Sequence, residues 1–113
     1  MEQEIWKDIK GYENIYQVSN LGRVKSKKYK KERILKPKLC KNGYLQVDLY
    51  YNGSSVHKNV HRLVLSTFYP QSDPNKNQVN HINEVKTDNR LENLEWVTCA
   101  ENIRHGTRTQ SLV

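Results

Sequence analysis

Apolar and polar residues change their spacing several times along this chain, and each change marks an element. Residues 16–19 alternate like a strand, Asn20-Leu21-Gly22 supplies turn residues, and residues 23–26 alternate again, which predicts a hairpin. Trp6, Ile9 and Tyr12 precede it and are expected to cover one face, with Trp6 as core packing. Asn42-Gly43 and Asn52-Gly53 are two more hairpin turns, one on each side of an alternating run over 44–51. With a closing strand over 55–59 they predict a three-stranded antiparallel meander. Successive strand residues point to opposite faces, so Leu45, Val47, Leu49 and Tyr51 form the core face, with Tyr44, Gln46, Asp48 and Tyr50 opposite. Val60, Leu63, Val64 and Phe68 then recur at i, i+3, i+4 and i+8, which predicts an amphipathic helix over 60–69 ending before Pro70.

The period returns to two over 78–81, a polar loop follows over 84–92, and Asn93 leads into a second short strand, 94–97. Thr98 followed by Glu101 is a capping box, so a helix bearing Asn102 and His105 is expected to open there. If the two strands pair and the helix packs across them, Asn80 and His81 face its first turns. One imidazole and two amide oxygens would then converge. The fold class is α+β: an N-terminal antiparallel sheet, a helix, and a strand-loop-strand-helix unit. The tail after His105 has no apolar periodicity, and residues 107–113 are expected to fray.

The residues of that last unit carry a resemblance. V-N-H-I-N at 79–83, K-T-D-N-R at 86–90, E-N-L-E-W-V-T at 92–98 and E-N at 101–102 resemble the HNH nucleases, whose active site is a ββα-metal unit. The nearest branch is the phage and intron-encoded homing endonucleases. W-x-x-I-x-G-Y-E from Trp6, then Y-x-V-S-N-x-G-x-V-x-S from Tyr16, resembles the small module that commonly precedes their nuclease unit. The resemblance implies a DNA-binding sheet module over 1–57 and an HNH unit over 58–106. It also implies His81 as general base, Asn93 as the asparagine bracing the loop that carries it, and Asn80 with Asn102 as metal ligands. His61 lies in a V-H-R-L-V run that recurs in relatives, and is read here as an imidazole bonded within the fold.

Those roles suit phosphodiester hydrolysis. An imidazole of ordinary pKa, about 6.5, can take a proton from water near neutral pH. A hard cation offsets charge on the phosphate and on the leaving oxygen, and Mg²⁺ is often held by one or two protein oxygens plus substrate phosphate. Mg²⁺ is therefore the expected cofactor, with Mn²⁺ as a substitute. Asn80 and Asn102 are both uncharged, so metal affinity without DNA is expected to be low. No zinc is expected, because Cys40 and Cys99 are far apart and neither belongs to a C-x-x-C pair.

Charge points to the same partner. The 113 residues carry a net +7, and nine basic residues against the single acid Glu32 fall within 23–38, so this stretch alone holds +8. Arg23, Lys27, Lys28, Lys30, Lys31 and Arg33 are the candidates for phosphate contacts on double-stranded DNA, which give affinity without reading sequence. No apolar run approaches a membrane span and the N-terminus lacks a signal-peptide pattern, so a cytoplasmic protein acting on phage or bacterial DNA is expected. Homing endonucleases of this kind continue into a helical DNA-reading region, and without one recognition is expected to be less selective. One active site cuts one strand, so the enzyme is expected to nick as a monomer, and a double-strand break requires a homodimer or two successive events. Two other readings stay open at this point: a DNA-binding module without catalysis, which Asn80 favours, and a phage packaging accessory protein whose basic loop meets an acidic partner.

Overall fold

The structure, a computed structural model, describes residues 3–28 and 31–100. Four short strands form the first sheet in chain order: β1 (Trp6–Asp8), β2 (Tyr16–Ser19), β3 (Val24–Ser26) and β4 (Arg33–Ile34), each antiparallel to the next. A second antiparallel sheet holds β5 (Lys38–Leu39), β6 (Leu45–Tyr51) and β7 (Ser54–Asn59), which is the meander read from the two Asn-Gly turns. Helix α1 (Val60–Phe68) follows at once, then the two-stranded pair β8 (Gln78–His81) and β9 (Leu94–Val97), joined through a loop and a 3₁₀ turn at Leu91–Asn93. The chain enters a helical conformation at Cys99 and Ala100, the last two described residues. The capping partner Glu101, with Asn102 and His105, lies outside the described residues, as do Tyr29 and Lys30.

One core joins these parts. Val18 and Val24 from the first sheet, Val47 and Leu49 from the second, Val60, Leu63, Val64 and Leu65 from α1, and Val79 and Leu94 from the last pair are all buried together. The helix holds this core because its apolar stripe faces all three sheets at once. Truncating Leu49, which is fully buried, to alanine is expected to cost about 2–5 kcal/mol. The core face of β6 follows the alternation read from sequence at Val47 and Leu49, with Leu45 partly buried against the core, whereas Tyr51 is half exposed and meets Tyr12 edge-on at 6.2 Å. The two sheets are also tied by a hydrogen bond from the Tyr50 amide to the Tyr16 hydroxyl, at 3.0 Å.

Trp6 departs from the expected packing. It lies on the edge strand β1, opposite Ser19, and only half buries its ring. Two cations of β3 and its turn cover the exposed ring instead, Lys25 Nζ at 4.3 Å and Arg23 at 5.5 Å from the ring centre. The basic segment after β3 is a ribbon rather than a free loop, since β4 pairs with β3 in the register Lys25 to Ile34. Its apolar anchor is Leu35, packed against the core, while Ile34 and Leu39 stay exposed.

Candidate active site

The geometry of the candidate site starts from the β8–β9 pair. His81 is the last residue of β8, opposite Leu94, and Asn80 is opposite Glu95. Two hydrogen bonds start the loop that follows: the Ile82 amide donates to the Asn93 carbonyl at 2.8 Å, and the Asn83 amide donates to Asn93 Oδ1 at 2.9 Å. Asn93 Nδ2 donates to Asn83 Oδ1 and to the Asp88 carbonyl, both at 2.9 Å. Asn93 is buried, so both of its amide protons and its oxygen are committed to closing residues 83–88 into a loop. An Arg90–Asp88 pair continues this frame, with Nε and one terminal nitrogen each 2.8 Å from the carboxylate oxygens. That guanidinium holds the Asp88 carboxyl down to about pKa 2.

His81 itself is buried, and its Nε2 lies 2.8 Å from Asn89 Oδ1. Among the described residues Nδ1 takes no hydrogen bond. The ring is walled by two others. His61 of α1 stands edge-on to it with centroids 5.1 Å apart, and Tyr44, just before β6, stacks nearly parallel at 5.8 Å. Tyr44 and His61 also meet, at 4.8 Å. Lys86 from the loop covers the outer side of Tyr44 at 5.0 Å and donates to the Asn42 carbonyl at 2.9 Å.

His61 is buried with Nδ1 unpartnered, so that nitrogen departs from the expectation of an imidazole bonded within the fold. Burial first, then the neighbouring His81 and Arg62, push its pKa down to about 4. It is neutral near pH 7 and forms an uncharged wall beside His81.

Asn80 is buried and donates Nδ2 to Glu95 Oε1 at 2.9 Å, which leaves its carbonyl oxygen as the group free to meet a cation. Glu95 thus sets a carboxylate against the nitrogen of that amide. The structure thus brings His81, Asn80 and Asn93 into one unit; Asn102 falls outside the described residues. Sequence reasoning missed Asn89, Tyr44, Glu95 and Lys86. Only Glu95 had a usable signal, because the hairpin register sets it opposite Asn80.

The DNA-binding candidates are spread differently. Arg23 is paired with Glu4, which lowers the pKa of that carboxyl, and the same guanidinium covers Trp6. Lys28 lies over Tyr16 and Tyr50, each 5.5 Å from its Nζ. With Lys31 and Arg33 it lines an open cleft of about 900 Å³ between the two sheets, floored by Tyr50 and Tyr51. Lys27 is half buried, its amide bonded to the Ile15 carbonyl at 2.8 Å, and Lys30 is outside the described residues. No helix among the described residues is long and apolar enough to cross a membrane.

A histidine at the end of a short antiparallel pair, facing an asparagine-closed loop and leading into a helix, is the arrangement of an HNH-type nuclease unit. Comparison with known proteins gives the same class. The NUMOD4 motif model matches residues 4–50, and the HNH endonuclease model matches residues 58–104. The chain is 46% identical over 108 residues to an uncharacterized HNH endonuclease of Acanthamoeba polyphaga mimivirus, covering 92% of this chain and 26% of that protein. It is 40% identical over 100 residues to DNA endonuclease I-HmuI of Bacillus phage SP01, covering 88% of this chain and 56% of that protein. A solved structure described as DNA binding and cleavage by the HNH homing endonuclease I-HmuI superposes with a TM-score of 0.84 at 38% identity, over 100% of this chain and 62% of that one. The chain is homologous to these HNH endonucleases, with residues 58–104 matching the HNH endonuclease model, and spans about a quarter to just over half the length of the curated relatives it matches.

Proposed function

We propose that this chain hydrolyses phosphodiester bonds of double-stranded DNA with the help of a divalent metal ion, and that His81 is the general base. The observation that carries this reading is the His81 imidazole, held at Nε2 by Asn89 and walled by Tyr44 and His61, within the segment that matches the HNH endonuclease model. In it, Nδ1 takes the proton from the attacking water while the surrounding rings hold the imidazole in place. Asn93 keeps residues 83–88 closed so that His81 does not shift. Asn80 and Asn102 would hold Mg²⁺, with Mn²⁺ as a substitute, and Glu95 would add the negative charge that two amides lack. When bound, such an ion neutralises charge on the phosphate and on the departing oxygen.

The division into a DNA-binding module, 1–57, and a nuclease unit, 58–106, belongs to the same proposal, with Lys28, Lys31 and Arg33 as the cations best placed for phosphates. One active site per chain favours nicking by a monomer. The test is conversion of supercoiled plasmid in Mg²⁺ and in Mn²⁺, with EDTA and with His81→Ala alongside. Metal-dependent nicking is expected, reduced at least about 100-fold in His81→Ala with DNA binding retained. No conversion in either metal, with binding intact, would leave a DNA-binding module without catalysis.

A further inference from the structure

We propose that Asn89 is the positioning residue that sets the His81 tautomer, and that the turn of the N-terminal hairpin at residues 20–22 buttresses Asn89. The amino-terminal half of the chain is then part of the catalytic unit as well as a DNA-contacting one. This inference rests on the reading of His81 as the base.

A neutral imidazole has one N–H and one lone pair, and the partner of one nitrogen decides which is which. Asn89 Oδ1 at 2.8 Å from Nε2 requires the proton there, which leaves the lone pair on Nδ1. Asn89 has little other purpose in the fold. It is buried, and its Nδ2 has no hydrogen-bond partner. An orphaned buried amide disfavours the folded state, so its presence beside the candidate base calls for a reason beyond stability.

The backbone of Asn89 is held from outside the nuclease unit. Gly22 has φ +88°, and a Cβ there would lie 2.9 Å from the Asn89 carbonyl oxygen and 3.0 Å from its carbon. Only glycine lets the turn approach so closely. Two residues further on, the Leu91 amide donates to the Asn20 carbonyl at 2.8 Å. Asn20 is itself anchored, accepting from the Ile5 amide at 2.7 Å and donating to the Gln3 carbonyl at 3.1 Å. A connected path therefore runs from residues 3–5 through Asn20 and Gly22 to Asn89 and His81.

The experiment reads the His81 ring by ¹⁵N chemical shifts at a pH where it is neutral, together with single-turnover cleavage and DNA affinity, in the full chain. The unmodified chain should show a proton on Nε2 and a lone pair on Nδ1. Asn89→Ala should mix the two tautomers and slow cleavage at least about tenfold with affinity unchanged. Asn89→Asp, which keeps an acceptor oxygen, should return the proton to Nε2. Asn20→Ala, which frees residues 3–5, and Gly22→Ala should shift the His81 signals in the same direction as Asn89→Ala, and the first remains informative if the second fails to fold. A proton on Nδ1 in the unmodified chain, as a reversed Asn89 amide would impose, overturns the proposal. So does an Asn89→Ala chain with the original tautomer and rate, or His81 signals that stay unchanged in folded turn variants. Undiminished cleavage by His81→Ala would instead remove the general-base reading, an outcome that the imidazole shifts distinguish.

Discussion

The loop between β8 and β9 and the basic ribbon after β3 are both polar connections, yet they are held in opposite ways. In the loop, Asn83, Asn89 and Asn93 are bound to one another, to His81 or to the backbone, and two of the three are buried. In the ribbon, strand β4 has two exposed residues, and Lys25 meets Glu32 at 3.3 Å across the surface. A general base has to be placed to within a fraction of an ångström, which demands side chains whose own partners are fixed. Phosphate contacts act at longer range and tolerate motion, so exposed lysines on a short ribbon suffice.

Loss of the His81 imidazole is the largest expected effect on cleavage, and the same contrast ranks the others. Asn93→Ala comes next, because it removes the partners of the Asn83 amide, the Asn83 side chain and the Asp88 carbonyl together. A loss of about 1–3 kcal/mol in a denaturant melt is expected, with a disproportionate fall in single-turnover cleavage. Equal activity in folded Asn93→Ala would show that the loop does not need its brace. In the ribbon, replacing Lys28, Lys31 and Arg33 together by alanine should weaken binding to all DNA sequences alike. The salt dependence of affinity should flatten by roughly 0.9 in log–log slope for each phosphate that is no longer neutralised. Cleavage at saturating DNA should be unaffected, and a slower saturated rate would mean that the ribbon also places the scissile bond.

The smallest effect concerns pH. His61 has a folded-state pKa of about 4 against an ordinary 6.5, so the unfolded chain binds the extra proton between those values. The stability contributed by the neutral imidazole is complete above about pH 6.5 and is lost as pH falls towards 4, on the order of 2 kcal/mol. Thermal midpoints should fall through this window in the unmodified chain and fall less in His61→Phe. An identical acid slope in both would assign the effect to other groups.

The local elements were legible in the sequence because each is encoded by near neighbours. The Asn-Gly turns, the alternation at 16–19 and 78–81, and the apolar stripe at 60, 63, 64 and 68 all reappear as the expected strands and helix. The positions of His81 and Asn93 at the two ends of the polar loop were legible for the same reason, since register and loop length are short-range quantities. Alternation also indicated a core face for β6, and Tyr51 at the end of that face stays half exposed.

What the sequence by itself determined is therefore the order of strands and helix, the concentration of positive charge in one stretch, and the presence of a histidine and asparagines at fixed spacing. Tertiary structure alone decided that Gly22 would press on Asn89, that Tyr44 and His61 would enclose His81, and that Lys86 would reach Asn42 from 44 residues away. The reason is physical. Periodicity and turn chemistry act over a few residues, whereas the partner of a buried polar atom is chosen only when distant segments close the core around it.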